Sequence, residues 1–263
     1  MPAVRPAASS HNDATVSSSQ LEVNLSELDG VRYLHLGTPW IQGAMRMDAP
    51  YDIELEYVQR MMAWLLFVPT GTVAGRHAMQ LGLGAAAITK YCYRRLNMRC
   101  TAIEINPRVV QVCRDWFYLP PDDERLQVIV DDAGAQIVQP RWRGRVDALA
   151  VDIYDDDASA PVFGGTDFYA ACRDTLTDDG CITVNLFGRR SDYQATLDDI
   201  CTVFGRRAVW VFRPTREGNA VVLAQRRPRR VARRTLLEQA REVQAAYDLP
   251  ARKWMRMFKP VEK

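Results

Sequence analysis

A chain of 263 residues, 48% hydrophobic and 25% charged with a formal net charge of +2, is ordinary for a globular protein and long enough for one well-buried α/β domain with small additions. No apolar run reaches the roughly 18 to 20 residues that span a bilayer, which excludes a helical membrane protein; the longest run, residues 61–68, meets Pro69 at once. Charge is unevenly placed: residues 226–263 carry twelve basic and four acidic side chains, a balance of +8, while the remainder, with 22 and 28, stands at −6, and an acidic body suits a cationic substrate because domain charge steers encounter.

In chain order, residues 1–20 are rich in Ala and Ser without an apolar core, and read as a disordered leader rather than a secretory signal, so a cytoplasmic protein is expected. Residues 21–68 form a small N-terminal unit. Within it, 31–47 read as a β-hairpin broken by Gly37, Pro39 and Gly43, and 51–67 as a helix from the spacing of Leu55, Val58, Met61, Met62, Leu65 and Leu66. Residues 69–227 then alternate strand and helix, the pattern of a mostly parallel sheet. Strands are expected at 78–83, 99–105, 126–130, 146–152 and 181–186, with helices between them at 85–96, 107–117 and 166–176, the last ended by Gly180, and a further helix at 192–204. Asn106-Pro107 supplies an N-cap and a first-turn proline. Segments 208–212 and 220–225, parted by a turn-prone stretch, close the sheet as an antiparallel pair, for seven strands with the last antiparallel.

Residues 228–263 make a basic helical tail with Leu236, Ala240, Val243 and Tyr247 on one face, expected to pack on the body or on a second subunit. Its arginines, with no interleaved aromatics, read as a solvated turn and helix start and not as a specific nucleic-acid reader. Six cysteines without a CxxC pair, and three histidines far from them, give no zinc-site spacing; they read as buried reduced thiols, and no metal is expected.

Chemistry concentrates at the strand ends. Gly82-Leu83-Gly84 sits where the first parallel strand turns into a helix, a place where glycines let backbone approach a ligand and the helix offers free N–H groups. Glu104 lies 22 residues on, at the end of the second strand, the offset of a ribose-binding acid. Asp131-Asp132-Ala133 ends the third strand; one aspartate suits an adenine amino group and the other a helix N-cap. Asp152 ends the fourth strand and is followed by Ile153-Tyr154-Asp155-Asp156-Asp157, a run of mutually repelling carboxylates beside the ligand crevice.

The order of Gly82-Leu83-Gly84, Glu104, Asp132-Ala133, Asp152-Ile153-Tyr154-Asp155 and the FGGTDFYAAC segment at 163–172 resembles the spermidine/spermine synthases, the polyamine aminopropyltransferases, over residues 41–186. The resemblance implies a Rossmann-like methyltransferase fold and transfer of an aminopropyl group from decarboxylated S-adenosylmethionine to a polyamine. By it, Asp152 is the base, Asp155 holds the polyamine, Glu104 the ribose, and Asp132 with the Ala133 backbone the adenine. Gln42 and Tyr57 line the site, and a homodimer is expected. Where the family turn reads Gly-Gly-Gly-Asp-Gly this chain has Ala85 at the aspartate, Tyr57-Val58-Gln59 stands near the domain entrance, and Asp156 replaces a proline. Ala85 leaves open a methyltransferase using ordinary S-adenosylmethionine, and a nucleoside-binding protein without catalysis is the third alternative.

Overall fold

The computed structural model describes residues 22–37, 40–153, 164–186 and 190–262. At its start, β1 (Val23–Leu28), β2 (Val31–Leu36) and β3 (Gly43–Arg46) form an antiparallel three-stranded sheet. The expected hairpin at 31–47 is thus the second half of a meander. Strand β1 is exposed along most of its length and so lacks the apolar alternation by which a half-buried strand is recognised, although its two-residue Asp29-Gly30 turn is a hairpin signature.

Next, α1 (Glu56–Met61) passes directly into a 3-10 segment, Met62–Phe67, in place of the single helix expected over 51–67. All six residues of that segment are buried. A run apolar on every side is packed all round, not along one stripe, and here tertiary contacts override the helical spacing.

The main sheet contains β4 (His77–Leu81), β5 (Arg99–Glu104), β6 (Leu126–Val130), β7 (Val146–Val151), β8 (Leu176–Leu186), β9 (Val209–Phe212), β10 (Ala220–Gln225) and β11 (Phe258–Pro260). Their order is β11-β9-β10-β8-β7-β4-β5-β6, parallel through β8-β7-β4-β5-β6 and antiparallel where β10 meets β8 and β9 and where β11 meets β9. Among the described residues the sheet therefore has eight strands, one more than the seven expected, because the tail returns to add β11. Helices α2 (Ala87–Arg94), α3 (Pro107–Trp116), α4 (Ala133–Ile137), α5 (Thr166–Thr175) and α6 (Arg190–Phe204) connect the strands. At α5 the helix stops at Thr175 and β8 starts with the next residue, five positions before the Gly180 expected to end it.

Side chains alternate between two cores, one on each face of the sheet. Ala78, Cys100, Ala102, Ala148 and Ala150 face α1, α2 and α3, while Met79, Leu81, Ile103, Leu149 and Val151 face α4, α5 and α6. The small residues on the first face admit the 3-10 segment close to the sheet, and the tail helix packs over that segment.

That tail helix, α7 (Arg233–Tyr247), packs on the body. Leu236, Ala240 and Val243 are buried in the first core, the Gln239 amide donates to the Leu65 and Val68 carbonyls, and the Tyr247 hydroxyl donates to Thr70 O at 2.8 Å. A short α8 (Ala251–Trp254) places Trp254 in the same core before β11. Three of the arginines ahead of α7 are paired, Arg226 and Arg227 with Asp178 and Arg229 with Asp179, and Arg234 in its first turn pairs with Glu238. Tyr247→Phe, which removes one donor to Thr70 O and leaves that carbonyl with the Val73 amide, is expected to lower unfolding free energy by about 1 kcal/mol in urea titration; an unchanged midpoint would mean that the apolar face and the Gln239 bonds hold the helix without it.

Among the described residues, no helix is long and apolar enough to cross a membrane. All six cysteines are buried and unpaired, and burial pushes their thiols above the ordinary range.

Candidate active site

Register sets the site. Leu81 on β4 stands between Ile103 on β5 and Val151 on β7, so the next residue of each strand, Gly82, Glu104 and Asp152, emerges at one level of the carboxyl edge. The strand order reverses at β4, between β5 and β7, and a reversal of this kind opens a crevice where ligands bind in open α/β sheets.

Gly82 has φ +81 and lies so close to Asp152 that an added Cβ would sit 2.2 Å from its carbonyl oxygen. Only glycine fits, and the backbone contact ties the turn to the end of β7. Gly43 at the start of β3 meets the same turn from the other side, since a Cβ there would fall 2.5 Å from Ala85 Cβ. Gly84 lies against the Gln42 carbonyl. The small sheet is thereby pressed onto the glycine turn, and Gln42 reaches the cleft.

The Asp152 carboxylate is half-buried and held at both oxygens: the Tyr57 hydroxyl donates to Oδ2 at 3.2 Å and the Asn185 amide to Oδ1 at 2.8 Å. Burial pushes its pKa above the ordinary carboxylate range, and the two donors oppose the shift. Tyr57 comes from α1, which is anchored by Arg60; this buried guanidinium pairs with Glu56 and donates to Arg213 O at 2.6 Å. Asn185 comes from β8 and accepts from the Asn219 amide at 3.2 Å, so a polar chain runs from Asp152 back into the sheet.

Glu104, 9% exposed, accepts from the Leu83 amide at Oε2 (2.8 Å) and from the Asn106 amide at Oε1 (2.9 Å). Burial raises its pKa against these bonds. The Ile105 backbone bonds to it as well, so three backbone groups take part of the acceptor capacity of the carboxylate. Asn106 serves as the N-cap of α3, as expected, accepting from Arg108 N–H. Of the paired aspartates, Asp132 is the N-cap, its Oδ1 accepting from Ala135 N–H at 2.7 Å, while Asp131 holds Gln136. Ala133 is buried at the start of α4.

Four of the expected residues, Gln42, Tyr57, Gly84 and Asp152, line one narrow cleft with Leu55, Val58, Gln80 and Ile88. Glu104 joins it through Leu83, whereas Asp132 and Ala133 lie two strands away at the end of β6. Asp155 lies outside the described residues. Sequence reading missed Gln80 and Asn185; the signal was present, since each is a polar residue between two apolar neighbours in its strand, and a buried polar side chain there must be matched by partners.

The strand order and the crevice at its reversal are those of the Rossmann-like methyltransferase fold. No model of a known protein family matches the chain. It is, however, 30% identical over 229 residues to the polyamine aminopropyltransferase of Neisseria meningitidis serogroup A, covering 87% of this chain and 85% of that one. It is 32% identical over 206 residues to the polyamine aminopropyltransferase of Chromobacterium violaceum, covering 78% and 76%. The chain belongs to the polyamine aminopropyltransferase family and is a transferase. Among solved structures, a probable spermidine synthase from Corynebacterium glutamicum superposes with a TM-score of 0.72 at 18% identity over 90% of both chains. Human methyltransferase-like protein 13 in complex with SAH gives 0.68 at 22% identity, over 74% of this chain and 93% of that one, so both kinds of enzyme share the fold.

Proposed function

We propose that the protein transfers the aminopropyl group of decarboxylated S-adenosylmethionine to a polyamine, with Asp152 as the base. The observation that carries this reading is the shared level of Gly82, Glu104 and Asp152 at the switch point, with Tyr57 and Asn185 fixing the carboxylate. The acceptor nitrogen attacks the methylene carbon beside the donor sulfonium. A C–N bond forms, the C–S bond breaks with its electron pair passing to sulfur, and methylthioadenosine leaves. The proton lost by nitrogen goes to Asp152, because an ammonium has no lone pair with which to attack. Holding donor and acceptor in line supplies the remaining advantage.

In this reading Glu104 takes the ribose hydroxyls with the acceptor capacity its three backbone bonds leave, and Gly82 and Gly84 let the adenosyl group approach the backbone. Asp132, through the oxygen not committed to Ala135, and the Ala133 amide take the adenine. Gln42 and Tyr57 line the reacting end, and Asp155 adds a second negative charge for the polycation. In the same reading the enzyme is a cytoplasmic homodimer that uses no metal, and Arg226, Arg227 and Arg229 act through their ion pairs with Asp178 and Asp179 rather than as a nucleic-acid surface.

The deciding measurement is methylthioadenosine release from the decarboxylated donor with putrescine, spermidine or cadaverine. Release with one of these amines is expected. No release with any of them, together with methyl transfer from ordinary S-adenosylmethionine, would replace the reading with a methyltransferase and make Ala85 the reason. For the donor site, Glu104→Gln is expected to weaken methylthioadenosine binding by about 1.5 to 3 kcal/mol in calorimetry, the worth of a charge-assisted hydrogen bond; equal affinity in a folded variant removes the ribose role.

A further inference from the structure

Gln80 is a polar side chain in the middle of the parallel sheet, 4% exposed, on a strand whose Ala78, Met79 and Leu81 pack in the two cores. Its amide nitrogen donates to Gly82 O at 2.7 Å and to Leu83 O at 3.2 Å. Its amide oxygen accepts from Thr89 N at 3.1 Å and from Thr89 Oγ1 at 2.6 Å. A primary amide has two donor hydrogens and two acceptor lone pairs, so every one is used inside the protein. Gln80 lines the cleft yet has no hydrogen-bonding capacity left for a ligand.

What it holds is the turn. Ala86, the N-cap of α2, stands at φ 57 and brings no side chain to cap the helix; Gln80 instead satisfies the amide of Thr89 in the first turn, a donor that an α-helix leaves without an internal partner. On the other side the same amide fixes two successive carbonyls of the glycine turn. Two more side chains complete the hold: Glu104 takes the Leu83 amide, and the Cys113 thiol donates to Gly84 O at 3.0 Å. Three consecutive residues of the turn thus have their backbone groups assigned by side chains from β4, β5 and α3.

We infer that Gln80, working with Thr89, is a positioning residue that sets the backbone of the Gly82-Leu83-Gly84 turn for the adenosyl ligand without touching it. The inference rests on the reading of this cleft as an adenosyl site. Gln80→Met keeps the length and removes all four bonds. Thr89→Val removes one of them, and Thr89→Ser restores it. Methylthioadenosine affinity by calorimetry is expected to weaken about tenfold in Gln80→Met, the worth of one or two net hydrogen bonds, about threefold in Thr89→Val, and not in Thr89→Ser. In steady-state assay the donor KM should rise while the acceptor KM stays unchanged, a split that general loosening of the fold would not produce. Wild-type affinity in Gln80→Met and Thr89→Val, with circular dichroism and melting intact, overturns the inference while leaving the adenosyl reading in place. If Gln80→Met does not fold, the Thr89→Val and Thr89→Ser pair decides, equal affinity in the two counting against the inference. Wild-type protein that binds no adenosyl ligand fails the reading itself.

Discussion

Asp152→Asn is expected to lower turnover by about 100-fold or more, the usual worth of a positioned base, while adenosyl-ligand affinity stays within about twofold of wild type. The substitution keeps the shape of the side chain and its contact with Tyr57 but removes the group that takes the proton. Binding is expected to survive because the proposed reading assigns the other end of the donor to Glu104 and Asp132. The pH profile supplies a second test with a fixed sign. Burial raises the Asp152 pKa, so activity is present above that pKa and is lost as pH falls through it. Removing the Asn185 donor, as in Asn185→Leu, takes away a bond that favours the charged carboxylate, and the acidic limb should move to higher pH. Tyr57→Phe should move it the same way. An acidic limb unmoved in both, or an Asp152→Asn variant with full turnover, would send the search for the base elsewhere.

How much of this was legible follows from where the sequence carries period and where it does not. The alternation of strand and helix from β4 to β8 is driven by buried apolar runs separated by capped helices, and those features are local; the residues ending β4, β5 and β7 could be named because the glycine turn, the acid on the following strand and the aspartate after β7 each occupy a strand end. Their common level was not legible, since it depends on the pairing of Leu81 with Ile103 and Val151, which no single segment records. The same limit explains β11. Phe258–Pro260 is three residues long and becomes a strand only because β9 offers it an edge. Gln80 and Asn185 show a different failure: each breaks an apolar strand pattern, and such a break is usually a solvent-facing position. Here both lie in the sheet interior and are matched by polar partners, which makes them supports for the site.

Lys90 sits in the first turn of α2, almost wholly buried, with its ammonium donating to Phe117 O at 2.6 Å and 5.9 Å from the Phe117 ring centroid. A positive charge near a helix N-terminus opposes the helix dipole, and burial penalises it further. Burial is the dominant cause that brings the lysine pKa from 10.5 down to about 8, with Cys113 acting in the opposite direction. The consequence for stability has a definite sign. Below about pH 8 the folded and unfolded chains both carry the proton, and this group contributes no pH dependence. From about 8 to 10.5 the unfolded chain holds a proton that the folded one has released, so the Lys90 contribution to stability rises with pH. Buried thiols and tyrosines, held above their ordinary pKa, act in the other direction in the same range, so the wild-type curve alone does not isolate the lysine. The difference from Lys90→Met does, because those groups remain in both proteins. Urea titrations between pH 7 and 11 should show wild type gaining on the order of 3 kcal/mol relative to Lys90→Met, from about 1.4 kcal/mol per pKa unit. Parallel curves across that range would mean that Lys90 keeps its proton in the folded protein, and that the Phe117 carbonyl and ring compensate the buried charge.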